Sequence, residues 1–552
     1  MSNQMKPEGI NRRSLLAQGV ALAGGVTLAA CTKVEEPAKT ASANAEASNA
    51  SLNLHPPVVQ VNGGKLRGFV DDRILTFLGI PYAEAERFEM PKPVKAWEGI
   101  KSAQSWGPVC PIPAATAPGP DDFVNPHRYW LENENCQVLN IWTQSTTPAT
   151  KKPVMVWMHG GGFTNGSSME SYAYDGKSLS EFGDVVVVSV NHRLNILGTL
   201  DVSAYGAQFA NSRNTGMADL VAALQWIHDN IAAFGGDAGN VTIFGQSGGG
   251  GKVTRLMHMP GAQGLFHKVV CQSGGYLNYR ETTVADVIKG QQAVAAQTLK
   301  NLGLNGNQMD LLKKVPYRDL LAAGVAANES VGKQLGQTLG WNPVADDSYV
   351  MRELCEWAES IPYIAGNVLS EFNSNLRNLE PSKNEWTQQE IDERLSARFG
   401  EKKADVMAEF SKCYPGKKIQ DALFVDNRFS NGTKAMLARK LEKAKAPVYS
   451  YVFTYEYQVN GGVTAFHCAE IAFVFHALNE PHIRAATGAA PSALALQDKV
   501  SQAWVNFARS GDPSQPGLEW KPYSLAGKEM MIFDTTSELR SHDDEKLQSL
   551  LA

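Results

Sequence analysis

A single serine, Ser247, stands in a glycine-rich turn at residues 245–249, which read GQSGG. The preceding residues 241–244 are β-branched or aromatic and predict a short buried strand, while the residues from Lys252 onward could continue as a helix. A serine between strand and helix, with glycines two positions away on each side, is typical of a strained turn that presents a nucleophile. A phosphate-binding loop does not fit, because valine, instead of serine or threonine, follows Lys252. We therefore expect Ser247 to act as a nucleophile.

A second glycine-rich motif, HGGG at residues 159–162, follows the apolar segment 154–158. Glycines at this point allow backbone N–H groups to face a substrate without side chains in the way, as in an oxyanion hole. We expect the N–H groups of Gly161, Gly162 and Gly248 to bind the negative charge that develops on a carbonyl oxygen under attack.

A serine nucleophile also needs a base and an acid that orients the base. A strand, a serine between glycines and a helix together resemble the nucleophile elbow of an α/β-hydrolase, in which the chain order is serine, acid, histidine. Four histidines follow the region of the acid: His467, His476, His482 and His542. We favour His467, because it lies in a loop after the apolar segment 446–455; His542 is expected in an exposed polar tail, and the other two are expected to pack or to face solvent. The residues alone leave the acid open among Asp346, Asp347, Glu353, Glu356, Glu359 and Glu371.

The composition is that of a large globular protein. The chain has 552 residues, of which 43% are hydrophobic and 19% charged, and this allows a large core. The net charge of −5 shows no excess of basic residues of the kind that nucleic-acid binding requires. No metal-ligand spacing and no nucleotide loop are present, so we expect neither a metal nor a cofactor.

The N-terminal residues differ from the rest of the chain. Arg12 and Arg13 precede an apolar run that ends at Ala30 and is poor as a membrane-spanning helix. The pattern fits a bacterial export signal of the twin-arginine type, and LAAC at 28–31 resembles a lipobox with Cys31 as the lipid-bearing residue. We expect a signal at 1–30, a flexible Ala/Ser-rich tether at 31–55 and an enzyme domain at 56–552, located in the periplasm or cell envelope and attached to the membrane only through Cys31.

Six cysteines remain after Cys31, an even number that suits an oxidising compartment. Cys110 and Cys136 bracket a loop rich in Pro, Gly and Asp and could close it, although spacing does not prove the pairing. We expect the others to be buried thiols: Cys271, Cys355, Cys413 and Cys468.

Several blocks spread over residues 57–545 resemble the type B carboxylesterase family, which includes cholinesterases and bacterial para-nitrobenzyl esterases. These blocks are TFLGIPYA (76–83), ENCQVLNIW (134–142), the long stretch 214–250 that runs into the serine turn, and AWVNFARSGDPS (503–514). The resemblance implies an α/β-hydrolase: a mostly parallel central sheet flanked by helices, with long insertions over the active site.

The resemblance also selects the acid and implies a reaction. The family's step from a glycine to a glutamate is matched by Gly366 and Glu371, and its HGxEI block is similar to the residues from His467 to Ile471. The implied triad is Ser247, Glu371 and His467, and a Cys110–Cys136 disulfide is implied as well. The implied activity is hydrolysis of carboxylic esters; an amidase, a lactonase or a specialised toxin or xenobiotic ester hydrolase would use the same triad, and a non-catalytic binding protein would typically have lost it.

Two departures from the family bear on specificity. The family usually reads G-E-S-A-G at the serine turn, whereas this chain has Gln246 and Gly248. Because a carboxylate beside the nucleophile is missing, we expect a weaker preference for cationic substrates and largely uncharged, aryl or short-to-medium acyl esters. By family position, the pocket walls are expected to include Phe163, Gln246, Trp341 and Phe473.

Overall fold

The computed structural model of the chain describes residues 56–114, 122, 124, 126–274, 283–377 and 382–552. The predicted export signal, Cys31 and the tether lie outside these residues. Within the described ranges, no helix is both long enough and apolar enough to cross a membrane.

The strands of the described residues are β1 (Val58–Val61), β2 (Gly64–Arg67), β3 (Phe69–Asp71), β4 (Ile74–Pro81), β5 (Ala83–Glu84), β6 (Lys92–Pro93), β7 (Ile100–Ser102), β8 (Val138–Thr143), β9 (Lys152–Met158), β10 (Val186–Val190), β11 (Gly236–Gln246), β12 (Lys268–Gln272), β13 (Tyr363–Val368), β14 (Val448–Phe453), β15 (Glu529–Phe533) and β16 (Glu538–Ser541).

The α-helices are α1 (Lys177–Gly183), α2 (Asn195–Thr199), α3 (Thr215–Asn230), α4 (Gly248–Leu256), α5 (Val284–Asn301), α6 (Met309–Leu312), α7 (Tyr317–Leu335), α8 (Gln388–Phe399), α9 (Lys403–Cys413), α10 (Arg428–Leu441), α11 (Ile471–Val474), α12 (Pro481–Ala486), α13 (Pro491–Ser510) and α14 (Glu545–Leu551).

Eleven strands form one central sheet in the order β3-β4-β8-β10-β9-β11-β12-β13-β14-β15-β16. The pairs from β10 through β15 are parallel, and the pairs at both ends of the sheet are antiparallel. Strands β8 to β10 and β12 to β14 are buried along almost their whole length. Such continuous apolar strands are what a parallel sheet covered on both faces requires.

Helices α3, α4, α10 and α13 pack against the strands of this sheet. Helix α13 shows why its limits lie where they do: Pro491 occupies its first turn, and Gly511 ends it with a left-handed φ of 85°. Its buried positions include Leu496, Val500 and Trp504, which recur at intervals of four and form one apolar stripe toward the sheet.

The register of the sheet brings the ends of four parallel strands together. Gln246 of β11 pairs with Gln272 of β12, Gln272 pairs with Gly366 of β13, and Gly366 pairs with Tyr451 of β14. The loops that follow these strands therefore leave the sheet at one edge. In open α/β sheets this edge is where ligands bind.

Two long insertions interrupt the alternation of strands and helices. Helices α5 to α7 lie between β12 and β13, and helices α8 and α9 lie between β13 and β14. The first insertion, with α2, builds a second apolar cluster around Leu197, Phe209 and Leu320. This cluster stands beside the main core, which is centred on the sheet.

Candidate active site

Ser247 occupies a sharp turn between β11 and α4. Its φ of 56° and ψ of −123° are values that a residue with a side chain rarely adopts. The backbone N–H of Ser247 donates to the carbonyl of Gln272, 2.8 Å away, and this bond fixes the turn to the end of β12. Helix α4 begins directly after the serine, four residues earlier than the sequence suggested.

The glycines around Ser247 are required by close backbone packing. A Cβ on Gly249 would lie 1.9 Å from the carbonyl oxygen of Met158, and one on Gly245 would lie 2.6 Å from the same oxygen. A Cβ on Gly248 would lie 2.2 Å from the carbonyl oxygen of Gly162. The start of α4 therefore rests directly on the end of β9 and on the loop that follows it.

That loop carries the HGGG motif. Gly161 and Gly162 have left-handed φ values of 79° and 63°, and the carbonyl of Gly161 accepts from the N–H of Asn165 at 2.9 Å. Among the described residues, no backbone carbonyl accepts from the N–H groups of Gly161 and Gly162. A Cβ built on Gly248 would stand 2.5 Å from the Gly162 nitrogen, so the three predicted oxyanion donors belong to one compact group.

The acid and the histidine meet in the loops after β13 and β14. Nδ1 of His467 is hydrogen-bonded to Oε2 of Glu371, and the His467 N–H donates to the Glu371 carbonyl at 3.0 Å. The other carboxylate oxygen, Oε1, accepts from the Ser273 hydroxyl at 2.7 Å and from the Val368 N–H at 3.0 Å. With Nδ1 engaged by the carboxylate, Nε2 is the ring nitrogen left for proton transfer.

Gln246 and Cys468 lie next to the imidazole. The side-chain nitrogen of Gln246 is 3.4 Å from Nδ1 of His467 and 3.3 Å from Nε2. Because these distances are nearly equal, the amide faces the ring between its two nitrogens and is not aligned with either lone pair. The Cys468 thiol donates to the Gln246 carbonyl oxygen at 3.2 Å, and this holds the orientation of the amide.

Ser247 and His467 line one cavity of about 590 Å³. The glycines at 160–162 and the Gln246 side chain contribute to its walls. Its lining also includes three aromatic side chains that are largely accessible: Tyr129 (70% exposed), Trp130 (43%) and Phe372 (60%). Phe372 stacks on the His467 ring with centroids 4.2 Å apart.

Two further carboxyl groups are buried near Glu371. Burial and the neighbouring Glu371 carboxylate raise the pKa of Glu470 to about 7 and that of Asp426 to about 6. Glu470 accepts from the side-chain amide of Gln272 and from the hydroxyl of Tyr451, both at 3.3 Å. These groups keep Glu371 in a confined environment with little solvent.

Comparison with known proteins identifies the class of enzyme. The model of the carboxylesterase family matches residues 55–549. The chain belongs to the carboxylesterase family. It is a serine carboxylesterase, which hydrolyses carboxylic esters.

Relatives of this carboxylesterase include enzymes that are named for different ester substrates. It is 30% identical to para-nitrobenzyl esterase of Bacillus subtilis over 505 residues, which cover 89% of this chain and 98% of the relative. It is 30% identical to fumonisin B1 esterase of Sphingopyxis macrogoltabida over 499 residues, 86% of each chain.

A solved esterase of the anaerobe Clostridium hathewayi, which can hydrolyse aliphatic aromatic polyesters, aligns with a TM-score of 0.83 at 39% identity and covers 90% of this chain and 98% of that one. The prediction of an α/β-hydrolase with a mostly parallel central sheet is confirmed.

None of the three aromatic residues expected in the pocket of this carboxylesterase lines the described part of the cavity. Phe473 is completely buried and packs on Phe453 and Tyr455, so its prediction as a pocket wall is wrong. Phe163 is 8% exposed and lies near the cation of Arg255, and Trp341 is 7% exposed and belongs to the second apolar cluster. Burial of apolar area in the core outweighs exposure at the cavity for these rings.

The other candidate histidines and acids lie elsewhere. His476 pairs with Asp498 at 2.9 Å and stacks on Phe182, and His482 lies against Tyr172. The expectation of an exposed His542 is wrong: it is 5% exposed and packs on Tyr414. The alternative acids make no contact with His467 in the described residues: Asp346, Asp347, Glu353, Glu356 and Glu359.

Cys110 and Cys136 lie side by side as buried thiols, and the disulfide that the family resemblance implies stays a prediction. Burial, with the thiol of Cys110 as a hydrogen-bond partner, raises the pKa of Cys136 well above the usual value. Cys271 and Cys413 are buried thiols as expected, whereas Cys355 and Cys468 are partly exposed.

Sequence reasoning missed Ser273 and Lys252 as parts of the site. Ser273 follows β12 with a left-handed φ of 46°, and this conformation turns its hydroxyl toward Glu371. The only sequence signal was its place at the end of a predicted apolar strand. The sequence places Lys252 at the start of a helix and excludes it from a phosphate loop, but it gives no role to the side chain, although a lysine inside a buried helix is itself unusual.

Proposed function

We propose that this carboxylesterase cleaves its substrates through Ser247, His467 and Glu371 by way of an acyl-enzyme. The observation that carries the proposal is the His467–Glu371 hydrogen bond at the cavity that Ser247 also lines. In the first step Nε2 of His467 takes the Ser247 proton while Oγ attacks the ester carbonyl. Glu371 keeps the imidazole in the required tautomer and stabilises its cation.

The tetrahedral oxyanion is bound by backbone N–H groups of Gly161, Gly162 and Gly248. The left-handed glycines of the loop and the absence of Cβ atoms between the loop and α4 support this assignment. His467 then protonates the leaving alcohol, and water, activated by the same imidazole, attacks the acyl-enzyme and releases the acid. One oxyanion donor is typically worth about 3 kcal/mol of transition-state stabilisation.

The proposed substrates are uncharged esters with aryl or short-to-medium acyl groups. Three charged or titratable side chains at the cavity lie next to a side chain of the opposite kind: Asp122 is 3.2 Å from His127, Glu132 is 3.2 Å from Arg318, and Arg128 is 2.8 Å from Asp175. Glu170 also lines the cavity. With Gln246 in place of a carboxylate, the serine turn itself places no negative charge beside the nucleophile to attract a cationic ester.

The rim formed by Tyr129, Trp130 and Phe372 favours a substrate that extends beyond the cavity. Large aromatic side chains are normally covered, and three of them at one cavity mouth form an apolar surface for a second ring or a longer chain. The Clostridium hathewayi relative can hydrolyse aliphatic aromatic polyesters. We therefore propose soluble aryl esters as the main substrate class and aromatic polyester ends as a second one.

Hydrolysis of a para-nitrophenyl ester series from acetate to laurate by the full-length chain, with Ser247→Ala beside it, tests the proposal. We expect turnover of short to medium chains and a loss of about 10⁴-fold or more in the variant. A Ser247→Ala variant that retains activity on these esters would show that another nucleophile acts.

The rim is tested with Trp130→Ala and Tyr129→Ala against Leu131→Ala, an exposed neighbour (76%) outside the cavity lining. The first two variants should raise the KM of a benzoate diester of an aliphatic diol several-fold and leave para-nitrophenyl acetate unchanged. An equal effect of Leu131→Ala on the diester would contradict a specific rim.

Export by the twin-arginine route, lipid attachment at Cys31 and a Cys110–Cys136 disulfide complete the proposal. The paired arginines, the lipobox-like sequence and the adjacency of the two thiols support these three proposals.

Lipid attachment and the disulfide are tested separately. Labelled palmitate should be incorporated into the wild-type chain and not into the Cys31→Ser variant. Thiol titration of the denatured protein should reveal two more thiols after reduction than before.

A further inference from the structure

Lys252 lies on α4, five residues after the proposed nucleophile, and is completely buried. Its ammonium donates to the carbonyl of His159 at 2.8 Å and lies 3.5 Å from the carbonyl of Gly160. Both carbonyls belong to the loop that carries the proposed oxyanion donors. Among the described residues, no carboxylate forms an ion pair with this lysine.

The contacts fix the direction of one peptide group. The carbonyl oxygen of Gly160 faces both the Lys252 ammonium and Nδ1 of His159, which is 3.0 Å away. In a trans peptide the N–H points opposite to the carbonyl. A Gly160 carbonyl that is held toward the buried lysine therefore turns the N–H of Gly161 in the opposite direction, away from the protein interior.

An ammonium buried without a carboxylate partner is costly to keep. Hydrogen bonds to carbonyl groups offset part of this cost, and here the ammonium bonds the carbonyls of His159 and Gly160, which precede the oxyanion donors. A cation at a carbonyl polarises the whole peptide group, so the attached N–H becomes a stronger donor. The positive charge of the ammonium also attracts a developing oxyanion through space, and this attraction is stronger in a site of low dielectric constant.

We propose that Lys252 is a positioning residue for the oxyanion hole: its ammonium orients and polarises the His159–Gly160 and Gly160–Gly161 peptide groups, and the protonated form supports catalysis. This inference rests on the proposed oxyanion role of Gly161. Lys252 itself touches no substrate atom; it acts through the loop.

The protonation state of Lys252 gives the proposal a pH dependence. Burial lowers its pKa to about 7, while Glu170 and Cys110 act in the opposite direction. The two nearby imidazoles, His159 and His192, stay neutral because burial lowers their pKa values well below the usual range. The remaining charged groups near these residues are Arg193 and Arg255. The ammonium is therefore present below about pH 7 and is lost above it, whereas a base such as His467 works in its neutral form, so the two requirements oppose each other.

A matched control exists in the same chain. Lys440 on α10 is 4% exposed, donates to the backbone carbonyls of Ala358 and Glu359, and has its pKa lowered by burial to about 8. It lies outside the cavity lining. Lys252→Met and Lys440→Met thus remove the same kind of buried ammonium, once behind the oxyanion loop and once elsewhere.

The experiment measures kcat/KM for a neutral aryl ester from pH 5.5 to 9.5 and the Ki of a trifluoromethyl ketone that forms a tetrahedral adduct with the serine. Wild type and Lys440→Met should lose about tenfold in kcat/KM above pH 7 and reach a lower plateau. We expect Lys252→Met to be about 10- to 100-fold less active at pH 7, to bind the ketone more weakly by a similar factor, and to lack this alkaline decline.

Equal losses in Lys252→Met and Lys440→Met, or an alkaline decline that persists in Lys252→Met, would overturn the proposal. Lys252→Gln, which keeps a donor without the charge, covers the case in which the methionine variant does not fold. It should show an intermediate loss and no alkaline decline; a wild-type profile in this variant would count equally against the proposal. Failure of the proposed function is distinguished by Ser247→Ala: an active serine variant contradicts the triad, whereas an inactive serine variant with an unaffected Lys252→Met contradicts only the role of the lysine.

Discussion

The candidate site has a floor and a wall that are built differently. The floor consists of the Ser247 turn and the loop at 159–162, where backbone packs on backbone and a Cβ on Gly249 would lie 1.9 Å from the Met158 carbonyl oxygen. The wall consists of Glu371 and His467, whose side chains are held by hydrogen bonds and ring stacking: the Ser273 hydroxyl and the Val368 N–H donate to the carboxylate, and Phe372 stacks on the imidazole.

The difference teaches where the site tolerates change. A close-packed backbone has no free volume, so the floor accepts no added atom at its contact points. The wall is set by hydrogen bonds and charges, so it should respond to substitutions of similar size by a change in protonation and not by a loss of fold. Two kinds of variant distinguish the floor from the wall. Variants that keep the volume and change the charge should affect the wall, and variants that add volume without charge should affect the floor.

The largest effect should come from Glu371→Gln in the wall. The amide keeps the shape but can no longer hold the neutral tautomer of His467 or stabilise its cation, so we expect kcat/KM at pH 7.5 to fall by about 10³- to 10⁴-fold with little change in stability. Steady-state hydrolysis and thermal unfolding measure both. Glu353→Gln, at a carboxylate that is 59% exposed, should change neither; a loss below tenfold for Glu371→Gln would remove Glu371 from the triad.

The floor should fail by losing its structure. Gly249→Ala places a methyl group on the Met158 carbonyl oxygen, and we expect the free energy of unfolding to fall by about 3 kcal/mol or more. Gly251→Ala lies two residues further along the same helix, where the added Cβ meets nothing closer than 3.6 Å. It should raise stability by roughly 0.5–1 kcal/mol, the usual gain of Ala over Gly in a helix. Chemical denaturation compares the pair, and equal stabilities would show that the floor is not close-packed.

Glu470 next to the wall should make stability depend on pH. Its pKa is raised from 4.5 to about 7 in the folded protein, so the stability linked to its protonated form is present below about pH 4.5 and is lost as the pH rises through 7. At 1.36 kcal/mol per pKa unit, the loss is up to about 3 kcal/mol between pH 5 and 8. Glu470→Gln cannot ionise and should remove that part of the decline, as urea unfolding at both pH values would reveal; an unchanged decline would mean that Glu470 is ionised throughout.

The smallest effect should come from Gln246→Glu. A carboxylate near both ring nitrogens of His467 favours the imidazolium, so the acid limb of the kcat/KM profile should move up by about one pH unit. Activity at pH 6 would fall by roughly tenfold while activity at pH 8 stays nearly constant. Gln246→Met, of similar size and uncharged, should leave the limb in place; if it moves the limb upward as well, the effect is steric.

The floor could be predicted from the sequence because its glycines stand in two short, recognisable motifs, residues 245–249 and 159–162. The contacts between the two motifs join residues about 90 positions apart, but each motif can be recognised without knowledge of those contacts. The wall could not be derived in this way. Glu371 and His467 are separated by 96 residues, so the residues alone left six acids open and the family resemblance made the choice.

What the sequence misjudged depends on packing between distant segments. Phe473 follows the predicted base closely, yet its ring is buried among Phe453 and Tyr455. His542 stands in a charged stretch, yet its ring lies on Tyr414. The role proposed for Lys252 depends on a carbonyl 93 residues away, and no periodicity along the chain encodes such a contact.

The parallel part of the central sheet has a consequence for how the enzyme folds. Cys271 of β12 pairs with Ala365 of β13, and Ala365 pairs with Ser450 of β14. Each of these strands is therefore synthesised only after the long insertion that separates it from its neighbour in the sheet. Sheets of such high contact order form slowly, because loop closure must precede the contacts that stabilise it. A nascent chain that ends before β14 contains the serine turn but not the histidine, so ester hydrolysis can appear only after β14 and the loop with His467 have joined the sheet.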